Sequence, residues 1–312
     1  MKNSNKTKII YWGTSYFSAE ILTFLIDNGF KPIGVITQMD KPAGRGSKLK
    51  SPEVKMVADK LSIPCFQPKK LKEAMFIEQI KELSPDLFVV VSYGKIIPKE
   101  ILSIPSLGTI NVHPSCLPHW RGPSPIQSAI LNGDKETGTT IMLLDEEMDH
   151  GPILASAKIN DDISKLTYKD LESILIKESS KLLLKVLPKW ISGEIKPIPQ
   201  DDAQATYCRM IKKDDGKIDW NESIEVIDRK IRALNPWPGT YFEIKGGKKF
   251  KVLEAQISQE KNDEKKNGEF FCVNKQLLVK CKNGALIIKS IQPESKNAMD
   301  GFGFWCGYQN KL

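Results

Sequence analysis

The sequence predicts an α/β protein of two domains, in which a mostly parallel sheet with helices on both faces is followed by a small β-barrel. Over the first 160 residues, short apolar runs alternate with stretches of helical period, as in parallel sheets that helices cover. Beyond about residue 208, short strands are separated by turn signals such as Asn283-Gly284, a spacing typical of a small barrel. A chain of 312 residues is long enough to build two hydrophobic cores.

The first domain is predicted to begin with strands and helices in alternation. The strands are expected at Lys8–Trp12, Pro32–Thr37, Ile63–Phe66, Leu87–Val91, Thr109–His113 and Thr140–Leu144, and the helices at Ser18–Asn28, Glu53–Leu61, Glu73–Leu83 and Pro125–Asn132. Ligands of such sheets bind beyond the carboxyl ends of the strands. We therefore expect functional residues directly after Val91 and at His113.

A longer helix, at about Thr167–Ile191, is predicted to close the first domain, which spans residues 1–191. Residues 192–208 are rich in Pro and Asp and are predicted to be an extended linker. The second domain, residues 209–312, is expected to contain a helix at Ser223–Leu234 and strands at Thr240–Ile244, Lys249–Ile257, Gly268–Cys272, Leu277–Cys281 and Ala285–Ile291. For the aromatic, Gly-rich tail Asp300–Tyr308, packing on the barrel and an ending without function are both left open.

The net charge of +8 lies mainly in the second domain. Residues 206–312 hold 20 Lys and Arg against 14 Asp and Glu, whereas the first 205 residues hold 26 against 24. A basic domain attracts polyanions such as nucleic acids. A merely soluble, Lys-rich surface would have the same composition.

Composition argues against several other classes of protein. No apolar run reaches the roughly 18 residues that a membrane span requires, and the polar first residues lack the apolar core of a signal peptide, so we expect a cytoplasmic protein. The six cysteines form no Cys-x-x-Cys pair and the three histidines lack metal-ligand spacing, so neither a disulfide framework nor a metal site is expected. The turn at Gly13 departs from Gly-x-Gly-x-x-Gly, which disfavours NAD binding.

Asn111, His113 and Asp149 are the most informative candidate site residues. Side-chain alternation along a strand places Asn111 and His113 on the same face. An amide and an imidazole can stabilise a developing oxyanion, and a carboxylate can fix the charge on the imidazole, so the set suits acyl transfer. The alternative is a His that merely closes a strand, with Asn and Asp as turn residues.

Several ordered motifs carry a resemblance to a known family. They are Asn-x-His-x-Ser-x-Leu-Pro at 111–118, Trp120-Arg-Gly122, Pro125-Ile-Gln127, Gly138-Thr-Thr-Ile-Met142 and Met-Asp-x-Gly at 148–151, with further matches at Trp12–Thr14, Gln38–Gly46, Ile218–Trp220 and Asn235–Pro238. In these motifs the chain resembles the formyltransferases that use 10-formyltetrahydrofolate, and within them the subgroup that acts on methionyl initiator tRNA. The resemblance implies a Rossmann-like catalytic domain and an OB-like β-barrel that binds tRNA, and it thins after about Gln292.

The resemblance assigns roles to the three candidate residues. Asn111 would donate a hydrogen bond to the oxyanion, and a cationic His113 beside Asp149 would supply the compensating charge. Asp149 would relay the proton from the attacking amine to the departing folate nitrogen, through an ordered water where needed. No metal is implied.

Ser115, Cys116, Leu117 and Pro118 are expected by resemblance to line the folate pocket. Cys116 departs from the Leu that is commoner in the family, but Cys is a small apolar side chain and need not change the polarity of the pocket. A catalytic Cys116 nucleophile is the alternative, although no partner His with a triad-like context accompanies it. His119 and His150 also depart from the family, which commonly has Arg and Thr there.

Residues 40–50 form a basic, Gly-rich segment without apolar period. Arg offers forked donors to phosphate and Gly lets the backbone approach closely, although an ordinary surface loop is the default interpretation. The resemblance identifies this segment with the family's inserted loop, which enters the acceptor arm of the initiator tRNA. Lys41, Arg45 and Lys48 are the expected RNA contacts.

We therefore expect a monomeric enzyme that formylates methionyl initiator tRNA for translation initiation. Three alternatives remain. A formyltransferase acting on a small amine or nucleotide sugar would share Asn111, His113 and Asp149 but has less use for a basic second domain. A folate hydrolase would send the formyl group to water, and a non-catalytic RNA-binding module would need the barrel without the three residues.

Overall fold

A computed structural model describes residues 7–43, 48–244, 246–260 and 264–312, except for the side chains of Ala43 and Lys48. The described chain divides into two compact units. The first draws on residues 1–125, 136–161 and 172–208, and the second on residues 126–135, 162–171 and 209–312. The domain limits expected at residues 191 and 208 stay predictions.

The first unit is built around a mostly parallel sheet. The strands of its described residues are β1 (Ile9–Gly13), β2 (Gly34–Ile36), β3 (Lys41–Ala43), β4 (Lys48–Lys50), β5 (Cys65–Phe66), β6 (Leu87–Val91), β7 (Thr109–His113), β8 (Gly138–Leu143) and β9 (Ile153–Lys158). The sheet has the order β5-β2-β1-β6-β7-β8-β9, while β3 and β4 pair separately. Neighbours from β5 to β7 are parallel, and β8 and β9 are antiparallel additions at one edge.

Helices cover both faces of this sheet because its central strands are apolar on both sides. The helices of the first unit are α1 (Tyr16–Asp27), α2 (Glu53–Lys60), α3 (Ala74–Glu82), α4 (Lys99–Leu102) and most of α6 (Tyr168–Ile191). Helix α5 (Pro125–Asn132) lies mainly in the second unit, as does the start of α6. On one face, Trp12 of β1 contacts the ring of Phe76 on α3 edge-on at 6.4 Å. On the other face, the hydroxyl of Tyr11 donates to the carbonyl oxygen of Ser18 on α1 at 2.7 Å.

Residues 198–208, called the strap below, are paired with the first unit at several points. Ile198 and Ile153 exchange two backbone hydrogen bonds of 2.7 and 2.9 Å at the outer edge of β9. Farther along, the amide of Arg121 donates to the carbonyl oxygen of Thr206 at 2.9 Å, and the amide of Cys208 donates to the carbonyl oxygen of Arg121 at 2.8 Å. The strap is therefore fixed to both β9 and the turn that contains Arg121.

The second unit is an antiparallel β domain with two further helices. Its described elements are α7 (Ile224–Leu234), β10 (Thr240–Glu243), β11 (Lys249–Ile257), β12 (Phe270–Val273), β13 (Gln276–Cys281), β14 (Gly284–Pro293), β15 (Met299–Asp300) and α8 (Gly301–Tyr308). The strand order is β10-β11-β14-β13-β12, with β15 on β14. Backbone pairing among the described residues does not join β10 to β12, but the rings of Phe242 and Phe270 on these strands approach to 5.0 Å around a shared core. The prediction of a helix-covered, mostly parallel sheet followed by an antiparallel β domain is confirmed.

The aromatic tail packs on the second unit as helix α8. Phe304 and Tyr308, four residues apart on this helix, stack at 4.7 Å, and both contact the ring of Phe250 edge-on. Asp300 caps the helix by accepting from the amide of Gly303 at 2.9 Å. Of the two alternatives left open for the tail, packing on the β domain is the one observed.

None of the helices in the described ranges has the length and apolarity that crossing a membrane requires.

Candidate active site

Asn111, His113 and Asp149 meet at the carboxyl end of β7. The Nδ2 of Asn111 donates to Oδ1 of Asp149 at 3.3 Å, and Nδ1 of His113 lies 3.6 Å from the same oxygen. The other carboxylate oxygen, Oδ2, accepts from the amide of Gly122 at 2.8 Å. Asn111 and His113 are buried, and the side chain of Asp149 is only 13% exposed, so water screens their interactions weakly. The structure thus brings together the three residues that the sequence singles out.

Strand β7 positions Asn111 and His113 because it lies between β6 and β8 in the interior of the sheet. Asn111 is opposite Met142 of β8, and His113 is opposite Thr140. Both side chains point to the same face since they are two residues apart. Ladder hydrogen bonds on both sides of the strand leave it little freedom to shift, and the two side chains are therefore held in fixed register.

A tight turn after β8 positions Asp149. The backbone of Asp149 has φ of +51°, a left-handed conformation that non-Gly residues seldom adopt. Gly151 follows in the same turn, where a Cβ atom would lie 2.0 Å from the carbonyl oxygen of Leu143. This close approach explains why the Met-Asp-x-Gly motif ends in Gly.

A second turn, which contains Trp120, provides the carbonyl oxygen that the His113 ring contacts. Nε2 of His113 lies 2.9 Å from the carbonyl oxygen of Trp120. The amide of Trp120 in turn donates to Oγ1 of Thr206 in the strap at 2.9 Å. The imidazole is therefore flanked by a carbonyl on one side and by Asp149 on the other.

The predicted folate-lining residues form a turn that is bound to β8. Oγ1 of Thr140 donates to the carbonyl oxygen of Ser115 at 2.8 Å and accepts from the amide of Leu117 at 3.1 Å. The buried hydroxyl of Ser115 donates to the carbonyl oxygen of His119 at 2.6 Å. Ser115 thus uses its proton within the turn, which runs on to Pro118. Contact with folate stays a prediction for all four residues.

Cys116 is half-buried and lies against Gly138. A Cβ atom at residue 138 would be 2.5 Å from the Sγ of Cys116, so the glycine leaves room for this side chain. Burial raises the pKa of the Cys116 thiol above its ordinary value. A thiol that stays protonated is a poor nucleophile, and the arrangement therefore argues against the catalytic cysteine alternative.

Of the predicted RNA contacts, Lys41 is the one whose side chain the structure describes. Lys41 is exposed and donates to Oε1 of Gln38 at 2.7 Å, while Nε2 of Gln38 donates to the carbonyl oxygen of Tyr93 at 2.8 Å. Lys41 is thereby held near the carboxyl ends of β2 and β6. Arg45 and the side chain of Lys48 lie outside the described residues.

Behind the site lies a polar network that the sequence does not predict. Arg121 is only 2% exposed, and its guanidinium donates to Oε1 of Gln200 at 3.0 Å, to Oδ1 of Asp202 at 2.7 Å and to the hydroxyl of Tyr207 at 3.3 Å. Three of these four residues belong to the stretch predicted as a linker. A Trp-Arg-Gly motif and a Pro-Gln pair were visible signals, but nothing local to either indicates that Arg121 and Gln200 would meet.

An open groove of about 360 Å³ lies beside the Asp149 turn and is lined by Lys99, Leu102, Ser103, Leu144, Asp145, Glu146, Glu147 and His150. Three carboxylates among eight lining residues repel anions such as folate, so the groove is a poor candidate for the folate pocket. No group of three His, Cys, Asp or Glu side chains in the described ranges is arranged to hold a metal ion.

Comparison with known proteins identifies the family of this chain. Two family models match: formyl transferase over residues 6–187 and the formyl transferase C-terminal domain over residues 210–309. The chain therefore belongs to the formyl transferase family, as its motifs predicted.

Individual relatives at about 40% identity share one name within this family. The chain is 40% identical to the methionyl-tRNA formyltransferase of Thermodesulfovibrio yellowstonii, over 96% of this chain and 95% of that protein. It is 43% identical to the methionyl-tRNA formyltransferase of Sulfurihydrogenibium sp., over 93% of each. Similarity thus runs through both units.

Solved structures show the same fold at lower identity. One is the N-formyltransferase from Helicobacter canadensis in complex with folinic acid and dTDP-3-aminofucose, with a TM-score of 0.67 and 20% identity over 92% of this chain and 99% of that one. Another is HypX from Aquifex aeolicus in complex with tetrahydrofolic acid, with a TM-score of 0.67 and 17% identity over 96% of this chain. The chain spans 46% of the length of HypX.

Proposed function

We propose that this chain transfers the formyl group of 10-formyltetrahydrofolate to the amino group of methionyl initiator tRNA, which yields N-formylmethionyl-tRNA for translation initiation. One observation supports this function most strongly: Asn111 and His113 converge on a single carboxylate oxygen of Asp149. This convergence occurs in a chain that is about 40% identical, nearly end to end, to proteins named methionyl-tRNA formyltransferase.

The reaction needs a neutral amine, an electrophilic carbonyl carbon and a place for negative charge. The amine nitrogen forms a bond to the formyl carbon, the carbonyl oxygen becomes an oxyanion, and the bond from that carbon to the folate nitrogen then breaks. The amine loses a proton and the folate nitrogen gains one. Because the α-amino group of an amino acid is partly neutral near pH 7, the protein contributes mainly orientation and electrostatic stabilisation.

Asn111 is proposed to stabilise the oxyanion. Its Nδ2 carries two hydrogens, and one of them is directed to Asp149 at 3.3 Å. The second hydrogen is available to the oxyanion. Removal of one such donor typically costs a factor of about 10²–10³ in rate.

His113 is proposed to act as a cation beside the oxyanion. Both of its ring nitrogens face oxygens: the carbonyl of Trp120 at 2.9 Å and the carboxylate of Asp149 at 3.6 Å. In the proposed cation each ring nitrogen carries a proton and can be directed to one of these oxygens. Asp149 would then pass the proton from the amine to the folate nitrogen.

The folate is proposed to lie against Ser115, Cys116, Leu117 and Pro118, which follow His113 directly in the chain. Their turn is fixed to β8 through Thr140. A pocket wall of this kind would place the formyl-bearing nitrogen near the carboxyl end of β7, as expected for ligands of parallel sheets.

Phosphate groups of the tRNA are proposed to bind Lys41, Arg45 and Lys48 and the basic second unit. In that unit the ammonium groups of Lys248, Lys296 and Lys311 lie 5.5–5.8 Å from the ring centre of Tyr308. None of these three lysines is paired with a carboxylate within the described ranges. Their charges are therefore available to a polyanion. We further expect a cytoplasmic monomer.

Transfer of labelled formyl groups tests this function. Purified protein would receive 10-formyltetrahydrofolate with methionyl initiator tRNA, uncharged initiator tRNA, free methionine or an amino sugar nucleotide. We expect label on the charged tRNA alone. Label on the sugar nucleotide would favour the sugar formyltransferase alternative, and release of formate would favour a hydrolase.

Binding to tRNA at increasing salt tests the contribution of the second unit. Each phosphate neutralised contributes a slope of about 0.7–0.9 log units of affinity per log unit of salt. Replacement of Lys248, Lys296 and Lys311 by Gln should weaken binding and reduce this slope. Lys69, Lys70 and Lys72, which lie in the first unit, provide a control with the same change in net charge.

A further inference from the structure

We propose that Gln200 is a positioning residue for formyl transfer. Its side-chain amide, oriented by Arg121, holds the turn from Asp149 to Gly151 so that the carboxylate of Asp149 faces Asn111 and His113. This inference rests on the proposed function, because it concerns the same reaction.

Gln200 binds the turn on both sides of His150. Its Nε2 donates to the carbonyl oxygen of Asp149 at 2.9 Å and to that of Gly151 at 2.8 Å. Both hydrogens of the amide are thus used on one turn. The left-handed backbone of Asp149 is costly for a non-Gly residue, and these two bonds hold it in this conformation.

Arg121 determines which way the amide of Gln200 points. A glutamine side chain has a donor and an acceptor end that differ little in shape, and only their partners decide the orientation. Nε of Arg121 donates to Oε1 of Gln200 at 3.0 Å, which leaves Nε2 for the two carbonyls. A flipped amide would place a donor against the guanidinium and an acceptor against both carbonyls. The buried Arg121 is itself held by Asp202.

The strap that carries Gln200 also fixes the partner of His113. Thr206 accepts from the amides of Trp120 and Arg121, through its hydroxyl and its carbonyl oxygen, each at 2.9 Å. The carbonyl of Trp120 is the group that Nε2 of His113 contacts. Thr206 of the strap therefore fixes the carbonyl that the imidazole of His113 contacts, and Gln200 of the strap binds the turn that carries the carboxylate of Asp149. The spacing between these two groups depends on residues far from either in sequence.

This arrangement gives Gln200 a role that differs from general stabilisation of the fold. Oδ2 of Asp149 accepts from the amide of Gly122 at 2.8 Å. If Gln200 holds the turn, its loss should move the carboxylate and expose the Gly122 amide to exchange while the rest of the protein stays folded. If Gln200 only stabilises the fold, its loss should lower the melting temperature without such a local effect.

The variant Gln200→Glu tests the proposal, because it keeps the shape and the oxygen that faces Arg121 but removes both donors. The matched control is Gln204→Glu, also in the strap, where the exposed amide donates to Oδ2 of Asp201 at 2.8 Å. We expect Gln200→Glu to lower kcat about 10²-fold, the effect of small misplacement of a reacting group, with KM for both substrates unchanged. The amide of Gly122 should exchange faster. The control should behave as the unaltered protein does.

A wild-type kcat in Gln200→Glu would overturn the proposal. So would a loss of kcat that only follows a loss of folded protein, with exchange at Gly122 unaffected. If Gln200→Glu does not fold, the shorter amide of Gln200→Asn should give a folded protein with a smaller loss of kcat. Full activity in Gln200→Asn would also contradict the proposed role of Gln200. Should the unaltered protein fail to formylate methionyl initiator tRNA, the proposed function falls, while exchange at Gly122 still tests the role of Gln200.

Discussion

Nε2 of His113 and the carbonyl oxygen of Trp120 are 2.9 Å apart. A carbonyl oxygen only accepts, so this nitrogen carries a proton whether the ring is neutral or charged. The neutral ring would then present a bare Nδ1 to the carboxylate of Asp149, and the charged ring would present a proton to it. The position of one backbone carbonyl thereby favours the tautomer of the neutral imidazole that carries its proton on Nε2.

Nitrogen NMR of the His113 ring should reveal this tautomer. We expect the neutral ring to carry its proton on Nε2, where it can donate to the carbonyl oxygen of Trp120. The shifts of His119, which is exposed, serve as a reference in the same spectrum. Observation of a neutral ring with its proton on Nδ1 would mean that the contact with Trp120 is not made in solution.

Substitution of the three converging residues should nearly abolish formyl transfer. Asn111→Ala removes one oxyanion donor and should lower kcat by a factor of about 10²–10³. His113→Ala and Asp149→Ala should have effects at least as large, because each removes a group that carries a charge in the proposed mechanism. Affinity for tRNA should be retained in all three, as measured by filter binding.

The exposed Asn132, whose amide donates to Oδ1 of Asp134 at 2.6 Å, offers a control for the loss of an asparagine. Asn132→Ala should keep full activity. Normal turnover in any of the three site variants would remove that residue from the proposed mechanism.

Prediction from sequence succeeded where the signal is local. Strands β6 and β7 were predicted with the observed bounds because their apolar runs end abruptly at turn residues. Strand β9 was missed because Ile153–Lys158 contains two Ala, a Ser and a Lys, and it is a strand only through pairing with β8.

The site residues likewise fall into those that a local sequence pattern predicts and those that it does not. Asn111 and His113 share a strand and could be placed on one face from their spacing. The prediction that Asp149 joins them depended on the family motif. Arg121 and Gln200 are 79 residues apart, and their hydrogen bond has no signature in either segment. The composition of residues 192–208 suggested a linker, since Pro and Asp carry no periodic pattern that could reveal the strap.

The pH dependence of stability should report the pair formed by His150 and Asp145. Nδ1 of His150 lies 2.7 Å from Oδ2 of Asp145, and this hydrogen bond raises the pKa of His150 above its ordinary value. A raised pKa in the folded state stabilises the protein fully below the unfolded pKa of about 6.5, and the gain is lost as pH rises through the folded pKa. His150→Gln should therefore lower the melting temperature more at pH 6 than at pH 9.

Because the His150 side chain is 34% exposed, the effect should be small. Asp145→Asn should give a similar pH dependence, and the double variant should lose little more than either single one. A melting difference that is constant with pH would contradict the role of this pair.

Cys116 should behave as a pocket residue rather than as a nucleophile. Cys116→Ala removes a group about the size of a methylene, worth about 0.8 kcal/mol, and should raise KM for the folate about fourfold with kcat retained. Loss of kcat comparable to that of Asp149→Ala would instead support covalent catalysis.

Alkylation provides a second measurement on Cys116. Its raised pKa keeps the thiol protonated near neutral pH, so iodoacetamide should modify Cys116 more slowly than the exposed Cys306. Mass spectrometry of timed samples would rank the two sites.

Two glycines of α8 should respond in opposite directions to replacement by Ala. At Gly301, a Cβ atom would lie 2.1 Å from the carbonyl oxygen of Ile288, whereas nothing lies within 4 Å at Gly307. Gly301→Ala should destabilise the protein by about 1–3 kcal/mol through overpacking. Gly307→Ala should stabilise it by about 0.5–1 kcal/mol because Ala is the better helix former.

Urea unfolding followed by circular dichroism would measure both changes. Equal effects of the two replacements would show that α8 does not pack on β14 in solution.

The pairing of Ile198 with Ile153 also affects whether the sheets of two copies of this protein can pair at their edges. As the last strand of its sheet, β9 would otherwise offer a row of free amides and carbonyls to a strand from a neighbouring molecule. Ile198 occupies one position of that row, and Pro197 and Pro199 on either side of it have no amide hydrogen with which to extend a ladder. Both backbone groups of Ile198 are used on Ile153, so this position of the edge offers nothing to a further strand and should disfavour edge-to-edge aggregation in crowded solution.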